Sequence, residues 1–157
     1  MSGRLSQGQI IAAVGAVVLL VAMFLPWWGV SASDLGVHVP SGAQLPPGVN
    51  LPSGVSASHT ENVWKGSTLD IYLLITAVVA LLPALMALTD SAEEFSFVSA
   101  ATFLLGVIAV ILILAFMTVD FPPVGTTKYG CWLGGLASIA IAFGGFRSMQ
   151  EEVAGEI

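Results

Sequence analysis

Charged side chains are scarce in this chain of 157 residues. Asp, Glu, Lys and Arg together make up 9% of it, whereas a soluble globular domain carries about 25%. The mean hydropathy of +0.92 points the same way, and the two values exclude an ordinary soluble domain. Only four residues are basic, they lie far apart, and the net charge is −6. Proteins that bind nucleic acid need clustered Lys and Arg, so we expect no nucleic-acid partner.

Cysteine is almost absent as well. Cys131 is the single cysteine, which excludes a disulfide within the chain. We interpret it as a small apolar residue at the start of the fourth helix. A disulfide to another chain and a lipid attachment are the alternatives.

Long apolar stretches are what the chain has instead. Four stretches of about 18 residues or more contain no charge, and each is long enough for a helix to cross a hydrocarbon layer of about 30 Å. The sequence therefore predicts one integral membrane domain over residues 1–157. Its fold class is all-α, an antiparallel four-helix transmembrane bundle. The predicted spans are about 9–27, 69–89, 95–118 and 129–147.

The first span invites comparison with a secretory signal. Its apolar stretch is longer than the roughly 7–15 residues of a signal's apolar region, so we expect an uncleaved anchor. Pro26 lacks an N–H and should end or kink this helix. At the other end of the chain, Gly144 and Gly145 should loosen the last turn of the fourth helix, and the acidic tail from Ser148 should fray.

A long loop rich in Pro and Gly follows the first helix, over about residues 29–66. It contains three hexads in register over residues 39–56, and each has Pro and Gly two residues apart. Pro followed by Gly favours turns. We expect irregular turns and polyproline-like backbone, with a compact cap on the helices as the alternative.

Four spans place both termini on one side of the membrane. Arg4 and Arg147 flank that side, and Lys65 and Lys128 flank the other, so the positive-inside rule gives a tie between side chains. The free amino terminus and the long first loop favour cytoplasmic termini. We predict a multi-pass plasma-membrane protein with residues 29–66 and 120–128 outside.

Polar side chains offer few candidate sites. His38 and His59, with Asp34 and Glu61, contain ligand types that bind zinc. Their spacing fits no known metal pattern, so we interpret them as loop residues and expect no metal.

No ionisable residue lies deep in a predicted span, where it would suggest a proton or substrate path. General acid–base catalysis also needs titratable groups, so we expect neither an enzyme nor a cofactor. The hydroxyl residues within the spans should bond to their own backbone. They are Thr76, Ser99, Thr102 and Ser138.

Small residues recur at every fourth position of two helices. Such stripes let helix backbones approach closely, so they predict helix packing within the chain or, alternatively, an oligomer interface. In helix 4 they are Gly130, Gly134, Ser138 and Ala142, and in helix 1 they are Gly8, Ala12 and Ala16.

All four tryptophans fall at the predicted outer edge of the membrane. Indole rings are most favourable at headgroup depth, so we predict that they anchor the helices at the membrane interface. A platform for sugars or lipid headgroups is the alternative. The four are Trp27, Trp28, Trp64 and Trp132.

Short motifs beside these tryptophans carry a resemblance. They are Leu25-Pro26-Trp27, Asn62-Val63-Trp64, Leu69-Asp70-Ile71 and Tyr129-Gly130-Cys131-Trp132-Leu133. In these motifs and in the order of its spans, the chain resembles small, poorly characterised four-span membrane proteins of actinobacteria. The resemblance implies a bacterial plasma-membrane protein with a cytoplasmic amino terminus, and it implies no activity.

These observations together favour a non-enzymatic role. The expected function is structural or accessory, through contacts of the helices and the outer loop with membrane lipids, with a second copy or with another membrane protein. The alternative is binding or transport of a lipid or small apolar molecule in a groove between helices.

Overall fold

The structure, a computed structural model, describes residues 5–31, 58–64, 68–88, 96–118 and 126–155. In these residues it has four α-helices, and each is long and apolar enough to cross a membrane. The predicted helical fold is therefore confirmed at this level. The helices are α1 (Gln7–Phe24), α2 (Leu69–Leu88), α3 (Ser96–Thr118) and α4 (Tyr129–Gly155).

Helix α1 begins and ends on local sequence signals. Ser6 Oγ accepts a hydrogen bond from Gln9 N at 3.2 Å, and Gln9 Oε1 accepts one from Ser6 N at 3.0 Å. This reciprocal capping box satisfies two amide groups that a helix start leaves without partners. Leu25 already has extended backbone, because Pro26 follows and disfavours the helical conformation before it.

The four helices form a ring in which α4 packs against α1 and α3, and α2 packs against both of these from the other side. Helix α4 runs antiparallel to α1. Its first turn, at Gly130, lies against Pro26, whereas Gly144 lies against Gly8 and Ala12 at the opposite end.

Three short strands close the end of the bundle where α1 ends and α4 begins. They are β1 (Trp28–Ser31), β2 (Ser58–Glu61) and β3 (Thr126–Thr127), in the order β2-β1-β3 with both pairs antiparallel. Trp28 pairs with Glu61 on one side and with Thr127 on the other. We call this end of the bundle the strand end, and the opposite end the terminal end.

These strands correct the expectation of irregular structure throughout the long loop. Its first residues and a later segment pair with each other, because the antiparallel ladder satisfies backbone groups that follow α1 directly. The strand content is thus larger than the sequence indicates. The hexads of residues 39–56 lie outside the described residues.

Small and hydroxyl-bearing residues make up much of the interior, together with large apolar ones such as Leu19, Leu73 and Ile141, and other large apolar residues cover the outside. Ala12, Ala16 and Ala77 are buried, as are Thr76 and Ser138. In α1 the exposed side chains recur every three or four residues along one face, and the other three helices expose apolar residues in the same way. The exposed residues of α1 are Ile10, Val14, Val17, Val21 and Phe24.

Helix α4 continues beyond its predicted end near residue 147. The segment from Ser148, expected to fray, is helical to Gly155. Tertiary contacts support it: Ser148 is buried, and Glu151 Oε2 accepts a hydrogen bond from Gly8 N at 3.4 Å. An acidic segment that looks solvated in the sequence is therefore held against the start of α1.

Candidate functional site at the strand end

Trp27 is the residue around which the strand end is built. It follows the end of α1, its exposed fraction is 0%, and its indole Nε1 donates a hydrogen bond to Ala22 O at 2.7 Å. Phe116 of α3 meets the ring edge-on, with 6.3 Å between ring centroids. Trp27 is therefore not exposed at the membrane interface as predicted. Its indole packs inside the bundle, and its polar Nε1 atom has a hydrogen-bond partner there.

Two glycines of α4 provide the space for this indole. A Cβ atom built at Gly134 would lie 2.8 Å from Trp27 Cζ2, and one built at Gly130 would lie 2.6 Å from Pro26 O. Both distances are shorter than van der Waals contact, so any larger residue would push α4 away from the end of α1. The pair therefore lets the two backbones approach over a buried indole.

Backbone hydrogen bonds fix the same residue in the sheet. Trp27 N donates to Glu61 O at 2.8 Å, and Trp27 O accepts from Lys128 N at 2.8 Å. Gly130 N donates to Pro26 O at 3.0 Å. The segment after α1 is thus hydrogen-bonded to β2 on one side and to the start of α4 on the other. The three strands therefore begin from a segment whose position is fixed.

The rest of the small-residue stripe also lies inside the chain. Ser138 is fully buried and donates to Gly134 O at 2.9 Å. Ala142 lies against α3, where a Cβ atom built at Gly106 would come within 2.6 Å of Ala142 N. A spacing of four residues drifts by about 40° per step on a helix of ~3.6 residues per turn. The stripe therefore starts against α1 and finishes against α3.

The other three tryptophans surround this core at the strand end. Trp28 is half-buried, whereas Trp64 and Trp132 have exposed fractions of 36% and 60%. Trp64 also packs against the exposed Phe24, with ring centroids 5.7 Å apart. The strand end therefore presents the rings of Trp64 and Trp132 to its surroundings, and the role of these three tryptophans as membrane-interface anchors stays a prediction.

The hydroxyl groups within the helices are of two kinds. Thr76 Oγ1 donates to Tyr72 O at 2.9 Å, and Ser138 bonds within its own helix in the same manner, so both are used as expected. Ser99 instead contacts Ser148 and Glu152 of α4, and Thr102 Oγ1 has no hydrogen-bond partner. The partners of Ser99 are not evident from the sequence, because Ser148 and Glu152 lie in a segment that was expected to fray.

The described part of the chain contains no group of three or more His, Cys, Asp or Glu side chains that could hold a metal ion. His59 and Glu61 belong to β2. Asp34 and His38, the other members of the set considered from the sequence, lie outside the described residues.

Comparison with known proteins gives no relative. No protein family, no curated protein and no solved structure matches the chain. The class of protein is therefore defined by the fold alone, as a helical bundle whose four helices are each long and apolar enough to span a membrane.

Proposed function

We propose that this is a multi-pass plasma-membrane protein with a structural, non-enzymatic role, either as a component of a membrane assembly or as an accessory to one. The supporting observation is the distribution of side chains in the bundle. Many large apolar residues face outward on all four helices, while alanines and hydroxyl residues make up much of the interior beside Leu19, Leu73 and Ile141. In water this arrangement would expose the residue types that are most often buried. In lipid, close packing of small residues is what holds helices together.

The proposed orientation places both termini in the cytoplasm and the strand end outside. It rests on the flanking basic residues and the length of the first loop. The fold is compatible with it, because α4 carries Arg147 at the terminal end, where its Nη2 donates to Gln7 Oε1 at 2.6 Å. The strands and the exposed aromatic residues then lie together at the outer surface.

The strand end is the proposed contact surface. Its exposed rings are Phe24, Trp64 and Trp132. The two indoles have the amphipathic character that suits the membrane interface and protein contacts, and Phe24 adds an apolar ring beside Trp64. Because Trp27 anchors the base of the strands, this surface is held rigidly on the helices. The proposed partners are membrane lipids, a second copy of the chain or another membrane protein.

A second candidate function is binding of a lipid or small apolar molecule between α2 and α3. Helix α2 packs less extensively on α3 than α4 does on either of its neighbours. Pro83 lies within α2 and cannot donate to the carbonyl one turn before it. Tyr72 Oη of α2 donates a hydrogen bond to Leu105 O of α3 at 3.2 Å. An acyl chain could lie along this seam.

Cysteine labelling tests the proposed topology. The buried Cys131 is the single cysteine of the chain, and Cys131→Ala gives a background without thiols. New cysteines are then placed at the exposed Thr60 and Gln150. We expect a membrane-impermeant maleimide to label Thr60→Cys in intact cells and Gln150→Cys only after permeabilisation. Labelling of Gln150→Cys alone in intact cells would show the opposite orientation and contradict the proposed one. Protein that stays in solution without detergent would refute the membrane assignment.

Native mass spectrometry in gentle detergent distinguishes the two functions. Oligomers or a co-purified protein support the structural role, and a monomer that carries a lipid supports the groove. Replacement of both Trp64 and Trp132 by alanine should reduce the amount of oligomer or co-purified protein and leave the amount of bound lipid unchanged. A bare monomer would contradict both proposals.

A further inference from the structure

The outward faces of α1 and α4 carry the same kind of side chain over the same height. The two helices lie side by side, since a Cβ atom built at Gly8 would come within 2.6 Å of Gly144 O and one built at Gly130 within 2.6 Å of Pro26 O. Their exposed large apolar side chains therefore form one band around this side of the bundle. We call it the apolar belt, and its members are Ile10, Val14, Val17, Val21 and Phe24 of α1 with Trp132, Leu136, Ile139, Phe143 and Phe146 of α4.

The apolar belt is short. Ile10 and Phe24 are about 21 Å apart along α1, and Trp132 and Phe146 are about 21 Å apart along α4, at a rise of ~1.5 Å per residue. Side chains at both ends bring the height of the belt to about 25 Å. The hydrocarbon core of a typical bilayer is about 30 Å thick, so the belt is about 5 Å lower than that layer.

Polar contacts fix the boundary of the belt at the terminal end. Gln9 Oε1 accepts a hydrogen bond from Ser6 N at 3.0 Å, and Gln7 Oε1 accepts one from Arg147 Nη2 at 2.6 Å. These groups lie within about one turn of the last apolar side chains of the belt. Moving them into hydrocarbon would take a charge and several polar groups out of water, which is unfavourable.

The three strands fix the boundary at the strand end. Backbone groups of an open sheet edge do not face lipid within the hydrocarbon layer, and β1 begins at Trp28, shortly after Phe24. The exposed indoles of Trp64 and Trp132 lie at the same end, and indoles are most favourable at headgroup depth. A helix that is too long for a bilayer can tilt, but tilting lowers a short belt further. The lipid must therefore adapt to the bundle on this side.

We propose that the apolar belt fits a thin hydrocarbon layer, and that its preferred lipids are phospholipids with short acyl chains. This inference rests on the proposed membrane assignment and adds to it the class of lipid that surrounds α1 and α4. Bilayers of longer lipids have to thin beside the belt, which makes the inserted fold less stable.

Thermal unfolding of the whole chain in lipid nanodiscs tests the preferred thickness. The series is dimyristoleoyl, dipalmitoleoyl, dioleoyl, dieicosenoyl and dierucoyl phosphatidylcholine, in which the headgroup is constant and only the acyl chains lengthen. We expect Tm to be highest in one of the two shortest lipids and to fall by about 5–10 °C toward dierucoyl lipid. A Tm that is constant, or highest in dioleoyl or a longer lipid, would overturn the inference. Failure of the chain to enter any of these bilayers would instead refute the membrane assignment.

Two variants on the outward face of α4 locate the terminal boundary of the belt. Phe146→Gln places a polar side chain inside the belt and should steepen the fall in Tm with acyl-chain length. The matched control is Val153→Gln, because Val153 is also exposed but follows Arg147 and lies at headgroup depth. It should leave the fall unchanged.

Either variant can overturn the inference. An unchanged fall in Phe146→Gln would place Phe146 outside the belt. A steeper fall in Val153→Gln would show that the belt extends past Arg147 and is as high as an ordinary bilayer. Phe146 also packs against Phe103, with ring centroids 5.8 Å apart. If Phe146→Gln therefore failed to fold, Val153→Gln and the series on the unmodified chain would still decide.

Discussion

Gly144 offers a direct test of how α1 and α4 are held together. A Cβ atom built at this position would lie 2.5 Å from Ala12 N and 2.7 Å from Gly8 O. Both atoms belong to the backbone of α1, so they cannot rotate out of the way as a side chain could. Contact at an ordinary distance begins at 3.4 Å, and the Gly144→Ala substitution therefore requires the two helices to separate by about 1 Å.

The cost of that separation can be worked out from two opposing effects. Alanine is the better helix former by about 0.8–1 kcal/mol. Against this, overpacking costs about 1–3 kcal/mol, and a gap of about 1 Å forfeits up to about half of the dispersion energy of the contacts it opens. These contacts run along α1 from Gly8 and continue past its end to Trp27. We expect Gly144→Ala to lower the free energy of unfolding by about 2 kcal/mol.

Gly135→Ala is the matched control on the same helix. Among the described residues its Cβ atom would meet only Ile113 Cγ2, at 3.9 Å, so the substitution fits without movement and gains the helix propensity of alanine. Unfolding of both variants in mixed micelles, followed by circular dichroism as SDS is added, measures the difference. A Gly144→Ala variant as stable as Gly135→Ala would refute close backbone packing between α1 and α4.

Two further predictions concern side chains of the interior. Trp27→Phe removes the hydrogen bond to Ala22 O and leaves space beside Gly134. We expect it to lower the free energy of unfolding by about 2–3 kcal/mol in the same assay. A loss no larger than that of an ordinary surface substitution would contradict the role of the indole as the anchor of the strand end. Ser138→Ala removes a hydroxyl that donates to Gly134 O of its own helix. The free energy of unfolding should therefore fall by less than about 1 kcal/mol. A larger fall would show that Ser138 has a partner in another helix.

The sequence is informative where the determinant is local. Pro26 ends α1 as expected, and the starts of α2 and α4, at Leu69 and Tyr129, agree with the predicted spans. Absence of charge over about 18 residues and the missing N–H of proline both act within one segment. Such signals can be read without knowledge of what packs against the segment.

The strands and the role of Trp27 depend on residues far away in the sequence. Strand β1 has four residues and β3 has two, too few for a periodic pattern to indicate them. Trp27 and Trp28 are identical neighbours, so the sequence cannot distinguish the buried ring from the half-buried one. What distinguishes them is the space above Gly130 and Gly134, which exists only once α4 lies against α1.

The terminal end of α4 shows the same dependence with a larger consequence. The segment from Ser148 contains acidic residues and resembles a solvated tail, but its contacts with the start of α1 keep it helical. Only this helix brings Ser148 and Glu152, four residues apart, to one face against Ser99. The contacts of Ser99 with Ser148 and Glu152 could therefore not be predicted once the tail was expected to fray.

Glycines account for the central position of α4 in this fold. Gly144 and Gly145 are adjacent, yet a Cβ atom at the first would meet Ala12 of α1 and one at the second would meet Phe103 of α3, each at 2.5 Å. Successive residues on a helix point about 100° apart, close to the angle between two neighbours in a four-helix ring. The pair was expected to loosen the last turn, but it lets α4 approach two helices at one level. Because the same continuous helix carries Gly134 beneath Trp27, the strand end and the contact between Ser99 and Ser148 at the terminal end are attached to one rigid element. A change in packing at either end must therefore act on the same α1–α4 and α3–α4 contacts.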